Sequence, residues 1–278
     1  MTIVDWENLA FILSFFLYLA ATISYLVYLF KIQTRSGETA TLLAYCGLTL
    51  HSAAILLRFI EAGRAPLSNQ FEFASVFAWG IVLAYLIFER ILGFRYRSCG
   101  AFVMPVSLVI SGYALFLPSE IRPLIPALQS GWLVVHVGIA ILAYSAFTLA
   151  FGLAVIYLIR DKVEYQQRRS FLLARIPELH LLDRLSKSAV SFGFFMQSLL
   201  IITGAIWAEQ AWGRFWGWDP KETWSLVTWL IYAVYIHSRF TRGWKGRKAA
   251  WLAIIGFACV LFTYLGVNIL LPGLHSYR

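Results

Sequence analysis

Residues 132–159 read WLVVHVGIAILAYSAFTLAFGLAVIYLI, a run without a single Asp, Glu, Lys or Arg. A membrane span needs roughly 20 apolar residues, so this stretch is long enough to cross a bilayer. Seven more stretches read the same way: 8–30, 41–60, 71–89, 100–117, 190–210, 223–239 and 249–271. The 278-residue chain is 60% hydrophobic and only 13% charged, too little polar surface for a soluble domain of this length. The expected fold class is an all-α integral membrane protein with about eight transmembrane helices. It forms a single polytopic domain over residues 1–278, with no internal repeat. The first stretch lacks a basic leading region and a cleavage site, so it reads as a retained helix rather than a signal peptide.

Lys and Arg in the loops set the orientation. Of 23 basic residues, 17 fall in the loops at 31–35, 90–97, 160–187 and 239–248. The opposite loops carry only Arg64, Arg122, Arg214, Lys221 and Arg278, and Arg58 lies within a span. Both termini are therefore expected on the outer side, with the basic loops in the cytoplasm. The net charge of +9 follows from this bias and from anionic lipid at the inner face; it calls for no nucleic acid. Cys46, Cys99 and Cys259 are scattered, with no C-x-x-C and no metal-ligand spacing. The basic cytoplasmic segment 160–189 is expected to lie along the inner surface, interrupted at Pro177.

The outer loop 207–224 reads WAEQAWGRFWGWDPKETW and holds five of the eleven tryptophans: Trp207, Trp212, Trp216, Trp218 and Trp224. One reading is an aromatic belt at the membrane interface. Belts spread over many helix ends, however, whereas these tryptophans crowd one loop and suit a flat apolar ligand. At the loop's end, Asp219-Pro220-Lys221-Glu222 reads as a helix start, with Asp219 as N-cap, Pro220 at the first helical position and Glu222 closing a capping box.

Ionisable groups within spans are functional candidates by default. His136 lies near the outer end of the 132–159 stretch and His275 just beyond the outer end of the last, so both meet the outer interface, on either side of the Trp loop. Two neutral imidazoles can hold a haem iron axially. His237 sits roughly 25 Å along its helix from Pro220, in the inner half of the bilayer, which suggests a second site. His51, near the middle of the second stretch, is either its partner or a packed, hydrogen-bonded histidine. His180 is expected at the surface.

The stretch WGRFWGWDPKETWSLVTWLIYAVYIHSR resembles the Trp-rich WWD signature of the haem-handling superfamily. With GRAPLSNQFEF at 63–73 and YLGVNILLPGLHSY at 264–277, nearly the whole chain resembles the CcsA/ResC family (CcsB in some genomes) of system II cytochrome c biogenesis. The resemblance implies haem b at two sites. The outer one would use His136 and His275 beside Trp212, Trp216, Trp218, Asp219 and Trp224, with Arg214 or Lys221 toward the propionates. The inner one would use His237, with its second ligand from a partner subunit or, alternatively, from His51. It further implies a CcsB/ResB-like membrane subunit, apocytochrome c and thioredoxin-like thiol reductants as partners. The activity implied is that of a cytochrome c synthase (haem lyase) subunit acting mainly by positioning haem, in a bacterial plasma membrane or a thylakoid membrane. Two other activities compete: a CcmC-like protein that loads haem onto a chaperone, and a bis-His haem redox protein acting with quinone.

Overall fold

The computed structural model describes residues 2–30, 34–166, 171–271 and 273. Their regular structure is entirely helical. In chain order the helices are α1 (Ile3–Phe30), α2 (Thr34–Ala62), α3 (Gln70–Leu92), α4 (Gly100–Ala114), α5 (Trp132–Tyr165), the short α6 (Phe171–Arg175), α7 (Leu179–Trp212), α8 (Pro220–Thr241) and α9 (Arg247–Leu261). A π turn at Phe262–Gly266 then carries α9 into α10 (Val267–Leu270).

All eight apolar stretches fall on helices. Six helices are long and apolar enough to cross a membrane by length and composition: α1, α2, α3, α5, α7 and the continuous α9–α10 rod. α4 has 15 residues, fewer than a full span needs. α8 has 22 residues, but Thr, Trp, Tyr, Ser and His dilute its apolar character. Segment 160–189 departs from the expected surface strip. Most of it extends the neighbouring helices, with α5 running on to Tyr165 and α7 starting at Leu179; Pro177 does separate α6 from α7. Residues 167–170 lie outside the described set.

α5 is the central helix and packs against α3, α4, α7 and α9, while α1 and α2 pair beside α3 and α4. α8 is held by α7 and α9. Aromatic stacking carries much of this packing: Phe147 of α5 lies flat on Tyr232 of α8 at 3.8 Å, and Phe151 stacks on Phe257 of α9 at 4.7 Å. The outward faces are apolar, with Phe16, Leu42, Leu56, Phe195 and Ile202 exposed, as lipid contact requires.

Buried ion pairs tie the helix ends. At one end, Arg58 of α2 bridges Glu7 of α1 and Glu72 of α3, each at 3.0 Å, and donates to the Ser119 carbonyl at 2.8 Å. Glu72 also takes Arg64 and both the backbone N–H and hydroxyl of Ser68. At the other end, Glu89 accepts from Tyr25, Thr41 and Tyr85 and pairs with Arg97. On the same side, Asp183 of α7 takes Arg239 of α8 and the Gly246 N–H. Breaking such a buried pair by removing one partner costs about 3–5 kcal/mol, so these clusters fix which helix ends meet.

Candidate functional site

Gly213, at a left-handed φ of 70°, ends α7 and turns the chain into the Trp-rich loop; its N–H donates to the Glu209 carbonyl. The loop then closes on α8 as its residue types dictate. Asp219 Oδ1 accepts from the Lys221 N–H at 3.0 Å, and Glu222 Oε2 accepts from the N–H of Asp219 at 3.1 Å and of Gly217 at 2.8 Å. This is the expected capping box with Pro220 in the first turn. The Asp219 carboxylate is buried and committed to the helix start.

A cavity of about 180 Å³, open on one side, lies between this loop, α5, α7, the start of α3 and the π turn. His136, Trp207, Trp212, Trp216 and Lys221 all line it. His136 is half-buried; its Nδ1 is 3.3 Å from the Thr203 hydroxyl and its ring meets Trp207 edge-on at 5.5 Å. Trp207 is itself fixed, its indole N–H donating to the Ala127 carbonyl at 3.0 Å. Gly204 of α7 makes room for the imidazole: a Cβ there would come within 2.8 Å of His136 Cε1.

The other sequence candidates spread out. Trp218 is exposed and meets Trp216 edge-on at 5.7 Å. Trp224 packs on Phe262 at 4.2 Å, away from the cavity wall. Arg214 is exposed, its guanidinium lying against Gly217, so Lys221 rather than Arg214 faces the cavity. Burial lowers the Lys221 ammonium to about 8, with Asp219 pulling it back up. His275 lies outside the described residues. Gly273 stands against the α8 start, where a Cβ would fall 2.6 Å from Asp219 Oδ2, so the chain leaves the last helix beside the Trp loop.

His237 is exposed on α8, in one stripe with Leu230, Val234 and Thr241. His51 is fully buried, with Nδ1 3.2 Å from the Tyr18 hydroxyl and Nε2 2.9 Å from the Ser75 hydroxyl. Both its ring nitrogens are engaged, which is the packed alternative. His180 is exposed near Glu178. No group of three or more His, Cys, Asp or Glu side chains gathers at metal-binding distance among the described residues.

Sequence reasoning missed the far wall of the cavity. Ser68, Asn69, Gln70 and Phe73 line it from one side, and Thr263, Tyr264 and Asn268 from another. The first group belongs to the GRAPLSNQFEF stretch, whose role the sequence left open. Glu72 and the N-cap Asn69, which accepts from the Glu72 N–H at 2.8 Å, shape that loop so that it closes the cavity.

Residues 67–275 match the family described as cytochrome C assembly protein. The chain is 39% identical over 264 residues to a cytochrome c biogenesis protein CcsA of Guillardia theta, covering 87% of this chain and 85% of that one. It is 38% identical over 277 residues to the protein of that name from Prochlorococcus marinus (strain NATL2A), covering 88% and 86%. Among solved structures, the cytochrome c haem lyase CcmF shares the fold with a TM-score of 0.73 at 16% identity; the match spans 95% of this chain and about half, 47%, of that one. The Trp-rich loop, the cavity it closes and the tail beside it thus all fall within the matched region, and the chain belongs to the cytochrome c assembly (CcmF/CcsA) family.

Proposed function

We propose that this chain receives haem and presents it on the outer face of the membrane for covalent attachment to apocytochrome c, as one subunit of a system II cytochrome c synthase. The observation that carries the reading is the cavity in which His136, Trp207, Trp212, Trp216 and Lys221 converge. Its residues fit a haem: an imidazole on one side, aromatic and aliphatic walls for the ring, and a cation for a carboxylate. The relatives' printed name, cytochrome c biogenesis protein, supports the same assignment.

In this reading His136 would hold the haem iron, with His275 as the second outer ligand. The Trp loop, with Trp212 and Trp216 on the cavity wall, would cover the bound haem and exclude water. When bound, haem supplies two vinyl groups, across each of which a cysteine S–H of the apocytochrome's C-x-x-C-H segment adds to form a thioether. The protein's part is to hold haem and peptide in register. His237, outward-facing on α8, serves the inner site with a ligand from a CcsB/ResB-like subunit. Its exposure on an apolar stripe supports a ligand reaching in from another chain. His51, held on both nitrogens, offers no second imidazole there. That also weighs against a quinone-linked protein with haem between paired membrane histidines. α4 and α8 cross the membrane with the six other spans, both termini lie outside, and thioredoxin-like reductants keep the apocytochrome thiols reduced.

The test is the haem content and cytochrome c yield of the protein purified with its partner. His136→Gly is expected to abolish cytochrome c maturation and shift the spectrum of the retained haem, with imidazole in the medium restoring part of both. His237→Gly is expected to lower total haem loading. Unchanged spectra and yield in His136→Gly would overturn the outer site.

A further inference from the structure

The deep wall of the cavity is built by an irregular piece of helix. Phe262–Gly266 forms a π turn, a rare conformation that recurs at functional sites. It is accommodated at Gly266, where a Cβ would lie 2.6 Å from the Phe262 ring, and that ring in turn packs on Trp224. The turn sets Tyr264 and Asn268, four residues apart, on the cavity side of the helix. Both are buried.

The two residues share an unusual property. The Tyr264 ring is wedged among Phe73, Phe77 and Tyr113, yet its hydroxyl has no hydrogen-bond partner among the described residues. Asn268 donates its amide N–H to the Tyr264 carbonyl at 2.7 Å, which fixes its Oδ1 as an acceptor, and that oxygen is also unpartnered. Of the six buried side-chain polar atoms left so among the described residues, these two belong to residues that line the cavity. A buried polar group without a partner is costly, and a helix distorted to display two of them is a device for binding something polar.

The ligand's own chemistry says what that polar group is. Lys221 is the one Lys or Arg lining the cavity among the described residues, whereas a haem brings two carboxyl groups. The carboxyl without a cation is poorly tolerated as an anion in an apolar cavity and favours its neutral acid form. A neutral acid needs a donor for its C=O and an acceptor for its O–H. We propose that Tyr264 Oη donates to, and Asn268 Oδ1 accepts from, the second carboxylic acid of the bound tetrapyrrole, fixing its orientation while Lys221 pairs with the first. This rests on the haem reading above and names two of this chain's own binding residues for it.

The experiment titrates iron protoporphyrin IX and its dimethyl ester into the purified complex, following the Soret band, for the unaltered protein, Tyr264→Phe and Asn268→Leu. The expected result is a roughly tenfold weaker affinity for the diacid in each variant; for the ester, which has no O–H to give but keeps its C=O, Asn268→Leu should change little while Tyr264→Phe still weakens binding. Thermal stability without ligand should be equal or higher in Tyr264→Phe, which removes an unpartnered polar atom and no hydrogen bond. Equal losses for diacid and ester in Asn268→Leu would show packing alone and overturn the proposal, as would unchanged diacid affinity in either variant or a drop in the ligand-free stability of Tyr264→Phe. If the unaltered protein bound neither tetrapyrrole with a His136-dependent spectrum, the haem reading itself would fall and this inference with it. If it bound both normally and only the variant pattern failed, this inference alone would fall.

Discussion

His51 and His136 look alike in the sequence: each is a lone histidine in an apolar helix. Their surroundings differ in kind. In the α1–α3 region, His51 is wedged between Tyr18 and Ser75 and edged by Phe11 at 5.2 Å. In the α5–α7 region, His136 sits half-buried on a cavity wall, with Gly204 giving its ring room and Trp207 backing it. The buried polar groups of the first region serve one another. In the second, His136 and Lys221 line a cavity. A membrane histidine is thus a functional candidate by cost alone, and its neighbours decide whether that cost is met within the protein or by a ligand.

The sharpest break of this comparison is at Gly204. Gly204→Val changes no ligating atom, yet its side chain would occupy the space of the His136 ring. Haem retention in the outer site is expected to fall by an order of magnitude or more, approaching the effect of removing His136 itself; displacing a ligating group by an ångström is costly in positioned chemistry. Normal haem spectra in Gly204→Val would separate His136 from the cavity's function. The counterpart in the first region is His51→Leu. It leaves the Tyr18 and Ser75 hydroxyls without their partner, so unfolding should become easier by about 1–3 kcal/mol, read as a lower thermal midpoint. Haem spectra of the folded fraction should be unaltered, and a selective loss of haem would return His51 to the ligand set.

Legibility followed the same division. Hydropathy located all eight helical stretches because apolar run length is a local property, and the capping box at 219–222 was readable because its hydrogen bonds join near neighbours. Local pattern could not tell which Trp faces the cavity. Trp212 and Trp216 do, whereas Trp218 turns to the surface and Trp224 to Phe262; that depends on where α7 ends and how α9 packs. The GRAPLSNQFEF stretch showed its role only once Glu72 was seen gathering Arg58, Arg64 and Ser68. The π turn left no sequence signal, because one extra residue per turn alters no hydropathy period that a short window detects. The end of α5 overran its apolar stretch with Arg160 held by Glu164 and by the Leu173 and Ile176 carbonyls, and the start of α7 did so with Asp183 held by Arg239, so charged residues there continue the helix instead of leaving it.

Lys221 sharpens the contrast through pH. Burial lowers its pKa from 10.5 to about 8, against the pull of Asp219. Between those values the unfolded chain holds a proton that the folded chain has lost, so this residue makes stability rise with pH across that window. Binding of an anion runs the other way, because the attracting charge exists only below about 8 and is lost above it. Haem affinity should therefore fall several-fold between pH 7 and pH 9, because the bound carboxylate raises the Lys221 pKa and binding takes up a proton in that window. Lys221→Met should bind more weakly at pH 7 and lose that slope. A slope that survives in the methionine variant would mean that another group carries the charge.

The smallest effect concerns the loop's strained residue. Trp218 has a φ of 56°, in the left-handed region, which a bulky side chain occupies at a cost of roughly 1–2 kcal/mol. The cause is visible on both sides of it. Glu222 Oε2 accepts the N–H of Gly217 and of Asp219, so the residue between them must turn through a conformation suited to glycine. Trp218→Gly should relieve that strain and raise the thermal stability of the ligand-free protein by about 1 kcal/mol, while Trp218→Ala keeps the strain and should not. Both remove the same exposed aromatic face and should lower haem handling by a similar, modest factor. That pattern, with stability parting the two variants and function joining them, assigns the indole to the outer surface of the site rather than to the fold. If both variants lost stability equally, the edge contact with Trp216 would outweigh the backbone, and Trp218 would belong with the self-satisfied groups of the α1–α3 region instead.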